Sequence, residues 1–286
     1  MDGVNTTLML TVQTIPELRK VRTDLPSPVG LVPTMGFLHH GHLSLVKKAV
    51  EECASVVVSI FVNPTQFGPQ EDFGSYPRDI PKDLELLERL DVALVWIPDT
   101  GEMYPPGFQT WVEVDSLSRR LEGDMRPGHF KGVATVVTKL LTAVQPEKAY
   151  FGQKDAQQSV IIKRLVLDLN LPVEVVVCPI MREDDGLAMS SRNVYLNPDQ
   201  RIAAAVLYRA LNSAEQSFQE GEYDAERLRE IMLKIIHAEP LAAVQYVSCA
   251  NPETMEEYSG SFERALLSMA VKFGKIRLID NLVIGK

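Results

Sequence analysis

Two histidines around a glycine, His39-His40-Gly41-His42, are the first residues of this 286-residue chain whose spacing suggests a chemistry. The apolar run Val29 to Val32 reads as a short buried strand, ended by Pro33, which has no amide hydrogen for a ladder. Beyond the loop, Leu43, Val46, Val50 and Cys53 recur at steps of three and four, the stripe of an amphipathic helix. The motif therefore falls where a strand hands over to the first turn of a helix. Free backbone N–H groups and the positive end of the helix dipole gather there, an environment suited to phosphate. Gly41 lets a ligand come close to the backbone, and two imidazoles can donate to phosphate oxygens. Two histidines at a helix start can also be mere caps or solvated side chains; the strand–loop–helix context favours phosphate.

The flanking elements must hold that loop. Residues 8–13 read as a strand and Ile15–Val21 as a helix. Ala54–Val62 is almost wholly apolar and β-branched, as in a parallel strand covered on both faces; it runs into the loop 63–68. Asp79-Ile80-Pro81 starts a helix, with proline in its first turn. Val92–Ile97 is the next strand. A loop at 105–107 leads to Trp111–Val114, and 126–132 is a second polar, glycine-punctuated loop. Val133 to Val144 is a strongly periodic helix. Lys148–Phe151 is a strand that delivers Gly152-Gln153-Lys154-Asp155, a helix follows to Leu169, and Val173–Cys178 closes the alternation. Such alternation predicts a doubly wound, Rossmann-like parallel sheet, whose ligands sit beyond the carboxyl ends of the strands. The loops at 34–42, 63–68 and 152–155 all fall on that edge.

After Pro179 the pattern changes. Arg182 to Asn193 is polar and glycine-containing, with the character of a mobile segment. Helices at Pro198–Gly221 and Asp224–Ala238 precede strands at Val244–Cys249, Ala265–Lys272 and Ile276–Asp280. Helices followed by adjacent strands indicate a smaller α+β domain, giving domains 1–183 and 184–286. The charge of −9 offers no field for nucleic acid or an anionic membrane. Cys53, Cys178 and Cys249 stand far apart in apolar runs and read as buried thiols rather than disulfides or metal ligands. With no signal peptide and no apolar run of membrane-spanning length, a soluble cytoplasmic protein is expected.

Five stretches taken together, PTMGFLHHGHLSLV, FVNPTQFGPQEDFGSYPRD, LEGDMRPGHFKGV, YFGQKDAQQ and REDDGLAMSSRNVYL, resemble the pantoate–β-alanine ligase family over nearly the whole chain. The resemblance implies attack of pantoate carboxylate on the α-phosphorus of ATP, then attack of β-alanine's amine on the pantoyl adenylate. It implies that His39 and His42 hold ATP phosphates, with Gly41 allowing close approach, and that Lys154 stabilises phosphate oxygens. Gly152 and Asp155 match positions that hold the ribose, although Asp155 could also be a plain helix N-cap. Pro33, Thr34, Met35, Met181 and Met189 complete the implied ATP pocket. Gln66 and Gln158, beside Met35 and Asn63, match the pantoate grip, where neutral amides orient a carboxylate without quenching it. Ser190, Ser191 and Arg192 resemble a phosphate clamp closing as a lid, and Arg126 and His129 match a supporting loop. Magnesium is implied at Asp83, although Lys82 stands where relatives often have a second acid; His40 likewise replaces the usual Glu or Asp. A homodimer is also implied.

Three other readings compete. A nucleotidyltransferase acting on a phosphate acceptor would share the His39–His42 loop but place cations, not glutamines, at 66 and 158. A class I aminoacyl-tRNA synthetase relative is opposed by the acidic charge. A catalytically dead ATP sensor would have lost a key side chain, whereas both histidines, the lysine and the serine pair are present.

Overall fold

A computed structural model describes residues 9–69 and 71–285. Its strands and helices run in the order β1 (Leu10–Val12), α1 (Ile15–Asp24), β2 (Val29–Thr34), α2 (His40–Glu52), β3 (Ser55–Ile60), α3 (Ile80–Glu88), β4 (Leu94–Trp96), α4 (Thr100–Met103), α5 (Glu122–Met125), α6 (His129–Val144), β5 (Lys148–Gly152), α7 (Ala156–Asp168) and β6 (Glu174–Cys178). These build a six-stranded sheet in the order β1-β4-β3-β2-β5-β6, every pairing parallel. The expected doubly wound α/β architecture is therefore present. Leu8, the start of the first expected strand, lies outside the described residues.

Each residue of β3 is buried, because helices cover both faces of the sheet. Val133, Val136, Val137 and Leu140 of α6 pack with Leu31, Val57 and Phe151 on one face. Leu43, Val46 and Ala49 of α2 pack with Val32, Val58 and Tyr150 on the other. Each fully buried Val or Leu contributes about 1.5–3 kcal/mol, so these stripes hold the strand ends, and the loops beyond them, in place.

The chain continues through α8 (Pro198–Ala204), α9 (Val206–Gln219), α10 (Ala225–His237), β7 (Ala242–Ala250), β8 (Arg264–Phe273) and β9 (Ile276–Gly285). The last three form an antiparallel sheet in that order. Its core joins Leu207 and Leu211 of α9, Leu228 and Met232 of α10, and Leu267, Met269 and Val271 of β8. The single helix expected over Pro198–Gly221 is broken at Ala205, whose N–H reaches back only to Ile202. The last strand does not stop at Asp280: β9 pairs with β8 as far as Gly285 opposite Arg264. Among the described residues no helix is long and apolar enough to cross a membrane. All three cysteines are free, Cys178 and Cys249 buried and Cys53 half-buried; burial raises the Cys249 thiol to about 12.

Candidate active site

The crevice opens where β2 and β5 part. Their pairing ends at Leu31 opposite Ala149, while β2 continues along β3 to Thr34 and β5 along β6 to Gly152. The strand thus runs one residue beyond Pro33, contrary to the sequence expectation. The Val29 carbonyl accepts the Glu147 N–H on the β5 side, and the Thr34 carbonyl accepts the Phe61 N–H on the β3 side. Alternation therefore turns Pro33 to the side where the ladder has already ended. Its missing N–H leaves nothing unpaired there.

The resulting cleft, about 230 Å³, is lined by His39, His42, Lys154, Ser190, Ser191 and Arg192 together with Gln66 and Gln158. Pro33, Thr34, Met35, Gly41, Asn63, Arg126, His129, Gly152, Asp155, Met181 and Met189 complete the same wall. Of the predicted site residues, Asp83 alone is not part of it.

His39 is the N-cap of α2, and its Nδ1 accepts the Gly41 N–H at 3.1 Å. His42 reciprocates, its Nδ1 accepting the His39 N–H at 3.4 Å, and the ring centroids lie 4.1 Å apart. Capping and ligand binding are thus not alternatives here. With both Nδ1 atoms acting as acceptors, the remaining proton of each ring sits on Nε2. Burial pulls His39 down to about 4, aided by the Lys154 charge, and His42 to about 3, aided by His39. Both are neutral N–H donors at pH 7. Gly41 owes its identity to the His39 ring: a Cβ would stand 2.8 Å from its Cε1.

Asp83 is buried, and its carboxylate accepts the N–H groups of Phe37 at 2.8 Å and Leu38 at 2.7 Å. Asp83 thus supports the turn, and the cleft walls do not include it. Both oxygens are committed to the turn that delivers His39, and the side chain does not reach the cleft. No group of three or more His, Cys, Asp or Glu side chains among the described residues could hold a metal.

On the amide side, Asn63 is buried and wholly engaged. Its Nδ2 donates to Gln66 Oε1 at 3.1 Å and to the Gly132 carbonyl at 3.2 Å. Its Oδ1 accepts from Tyr104 and Thr65 hydroxyls at 2.8 and 3.0 Å. It shapes the loop; Gln66 presents itself to the cleft, with Nε2 resting on the Met35 sulfur at 3.0 Å, a weak acceptor. Arg126 and His129 brace that loop from behind. His129 Nδ1–H donates to the Gln66 carbonyl at 2.8 Å, and Arg126 donates to His129 Nε2 at 3.1 Å and to Glu71 at 2.7 and 2.6 Å. Burial takes His129 to about 4, the Arg126 charge assisting.

On the phosphate side, Lys154 Nζ lies 3.6 Å from Asp155 Oδ1. Asp155 precedes α7 without a side-chain cap bond, so the plain N-cap reading is not realised. Arg192 is held bidentately by Asp72 at 2.9 and 3.0 Å, and Ser191 Oγ reaches the Phe37 carbonyl at 3.4 Å. The 182–193 segment is tied down: Arg182 bridges Ala188, and the Met189 N–H donates to the Met181 carbonyl at 2.9 Å.

Sequence reading missed Asp72, Glu71, Gly132, Tyr76 and the apolar wall of α6. Gly132 was read as the end of the 126–132 loop, whereas α6 already begins at His129 and takes it in. A Cβ there would lie 2.4 Å from the Thr65 carbonyl oxygen and 2.7 Å from Gln66 N, so α6 and the Gln66 loop touch backbone to backbone.

A doubly wound sheet whose His-x-Gly-His loop caps a helix beside a lysine turn defines a nucleotide-binding α/β protein. The chain belongs to the pantoate–β-alanine ligase family, whose profile, "Pantoate-beta-alanine ligase", matches residues 10–283. Pantothenate synthetase of Roseiflexus sp. (strain RS-1) is 57% identical over 276 residues, covering 96% of this chain and 99% of that protein. The Herpetosiphon aurantiacus enzyme of the same name is 58% identical over 276 residues, covering 96% and 100%. Among solved structures, Thermus thermophilus pantothenate synthetase superposes with a TM-score of 0.93 at 47% identity, covering 97% of this chain and 100% of that one. Francisella tularensis pantoate-beta-alanine ligase, complexed with beta-gamma ATP and beta-alanine, gives 0.81 at 36% identity over 96% and 98%.

Proposed function

We propose that this chain condenses pantoate with β-alanine at the expense of ATP, through a pantoyl adenylate. One observation carries the reading: a single cleft is lined both by N–H donors and cations, His39, His42, Lys154 and Arg192, and by the neutral amides Gln66 and Gln158. A pantoate carboxylate oxygen bonds to the α-phosphorus as the bond to the bridging oxygen breaks and pyrophosphate leaves. β-Alanine's neutral amine then attacks the acyl carbon, AMP departs, and the amine's proton passes to water or buffer.

His39 and His42 present Nε2–H to phosphate oxygens; being neutral, they bind without the cost of desolvating an imidazolium. Lys154 meets charge growing on the phosphates, and Ser190, Ser191 and Arg192 hold the departing pyrophosphate, with Asp72 fixing the guanidinium plane. Gly152 and Asp155 take the ribose. Pantoate's oxygens replace the Met35 sulfur as partner of Gln66 Nε2, with Gln158 opposite, and its paired methyls suit the wall made by Val133, Val136 and Val137. That wall keeps water from the anhydride while the amine arrives.

Magnesium enters this reading only as the counter-ion that ATP carries, water filling its remaining positions. We further propose two domains divided near residue 183, a cytoplasmic location and a two-fold symmetric dimer. The test is isotope exchange between pyrophosphate and ATP. Exchange should require pantoate but not β-alanine; exchange seen only once β-alanine is added overturns the adenylate route.

A further inference from the structure

Strand β9 belongs to the small sheet, yet it lies against the turn that carries Lys154 into the cleft. Asn281, 3% exposed, commits its whole side chain to the Gly152–Asp155 turn. Its Oδ1 accepts from Gln153 Nε2 at 3.0 Å. Its Nδ2 donates to the carbonyls of Gln153 at 3.0 Å and Lys154 at 2.9 Å. The neighbouring Asp280 takes Arg182 bidentately at 2.7 and 3.0 Å, and Arg182 also donates to the Gly186 carbonyl at 3.0 Å. Two consecutive residues of one strand thus hold both elements that carry cations to the phosphates.

The turn at Gln153–Asp155 is a single 3₁₀ turn with no side-chain cap, too short to fix itself by its own hydrogen bonds. Inward-facing carbonyls in such a turn need donors from elsewhere, and Asn281 supplies them on either side of the Lys154 peptide. We infer that Asn281 is a positioning residue for Lys154: by holding two successive carbonyls it sets the point and direction at which the ammonium enters the cleft. This rests on the ligase reading above. The last strand of the small sheet thereby becomes part of the adenylation machinery.

The test is a double-mutant cycle in the full-length protein, comparing wild type, Asn281→Ala, Lys154→Ala and the pair. Single-turnover adenylate formation and the ATP dissociation constant are measured, with thermal melts to confirm folding. Asn281→Ala should slow adenylation by about ten- to a hundredfold, the scale of a misplaced reacting group, and leave pantoate KM within about twofold. With Lys154 already alanine, the same change should cost less than about twofold more, because the two act through one contact. Equal losses in both backgrounds would overturn the inference, since a merely structural amide would be indifferent to the lysine. If Asn281→Ala does not fold, Asn281→Asp carries the cycle: it keeps the shape and the acceptor for Gln153 but removes the donor to both carbonyls. A folded Asn281→Asp protein with full adenylation also overturns it. A wild type that forms no adenylate would sink the ligase reading instead, and the cycle is then decided on ATP affinity alone.

Discussion

Replacing Asp83 separates a carboxylate that binds metal from one that builds the histidine loop. The turn it supports is strained, with Gly36 at φ +79° and Phe37 at φ +52°; a non-glycine residue in that region persists only when its surroundings enforce it. Asp83→Ala strands the Phe37 and Leu38 N–H groups. At about 1–3 kcal/mol for each unsatisfied donor, the loss is on the order of 2–6 kcal/mol, a large share of a stability of about 5–15 kcal/mol. Asp83→Asn keeps one acceptor and so loses about half as much, leaving a folded enzyme. Because His39 follows Leu38 directly, its ring should drift, and adenylation should slow by about tenfold. The assay is urea unfolding beside adenylate formation titrated with free Mg²⁺. The structure requires a lowered unfolding midpoint and an unchanged Mg²⁺ midpoint. A Mg²⁺ requirement raised about tenfold with stability intact would refute the assignment and restore Asp83 as a ligand.

Gly132→Ala should displace the Asn63–Gln66 loop, since its Cβ would stand 2.4 Å from the Thr65 carbonyl oxygen; pantoate KM should rise by about tenfold or more with ATP affinity kept, and an unaltered pantoate KM would deny the backbone contact. Lys154→Ala should cost adenylation about 10²–10³-fold, whereas Gln66→Ala should chiefly raise pantoate KM; steady-state kinetics with each substrate varied checks both, and a reversed pattern means the two ends are misassigned. His39, His42 and His129, at about 4, 3 and 4, should show no NMR titration midpoint near 6.5 in the free protein. Between about pH 6.5 and 4 the unfolded chain binds protons that the folded chain refuses, so stability should fall as pH is lowered through that window and stay level above it; unfolding midpoints equal at pH 7 and pH 5 would contradict their burial.

What the sequence determined by itself was local. Strand, loop and helix around His39 and His42 were legible because the apolar periods change within a few residues of the motif, and alternation along the first 180 residues implied the sheet edge where three loops meet. The order of the strands and the parting of β2 from β5 at Leu31 came only with the fold, since pairing depends on residues more than a hundred positions apart. Asp83 shows the limit: a carboxylate that binds a cation and one that accepts two N–H groups are the same letter, and the Phe37–Leu38 turn lying against it is seen only in the fold. Gly41 was read as room for a ligand; the fold adds that the His39 ring also stands where its Cβ would be. The polar 182–193 segment reads by composition as mobile; its partners Asp72, Phe37 and Asp280 lie 98 to 154 residues away in sequence, so only the fold shows them. Asn281 gave no signal at all, because its meaning lies in two carbonyls that the chain reaches only after building a second sheet and folding it back against the first.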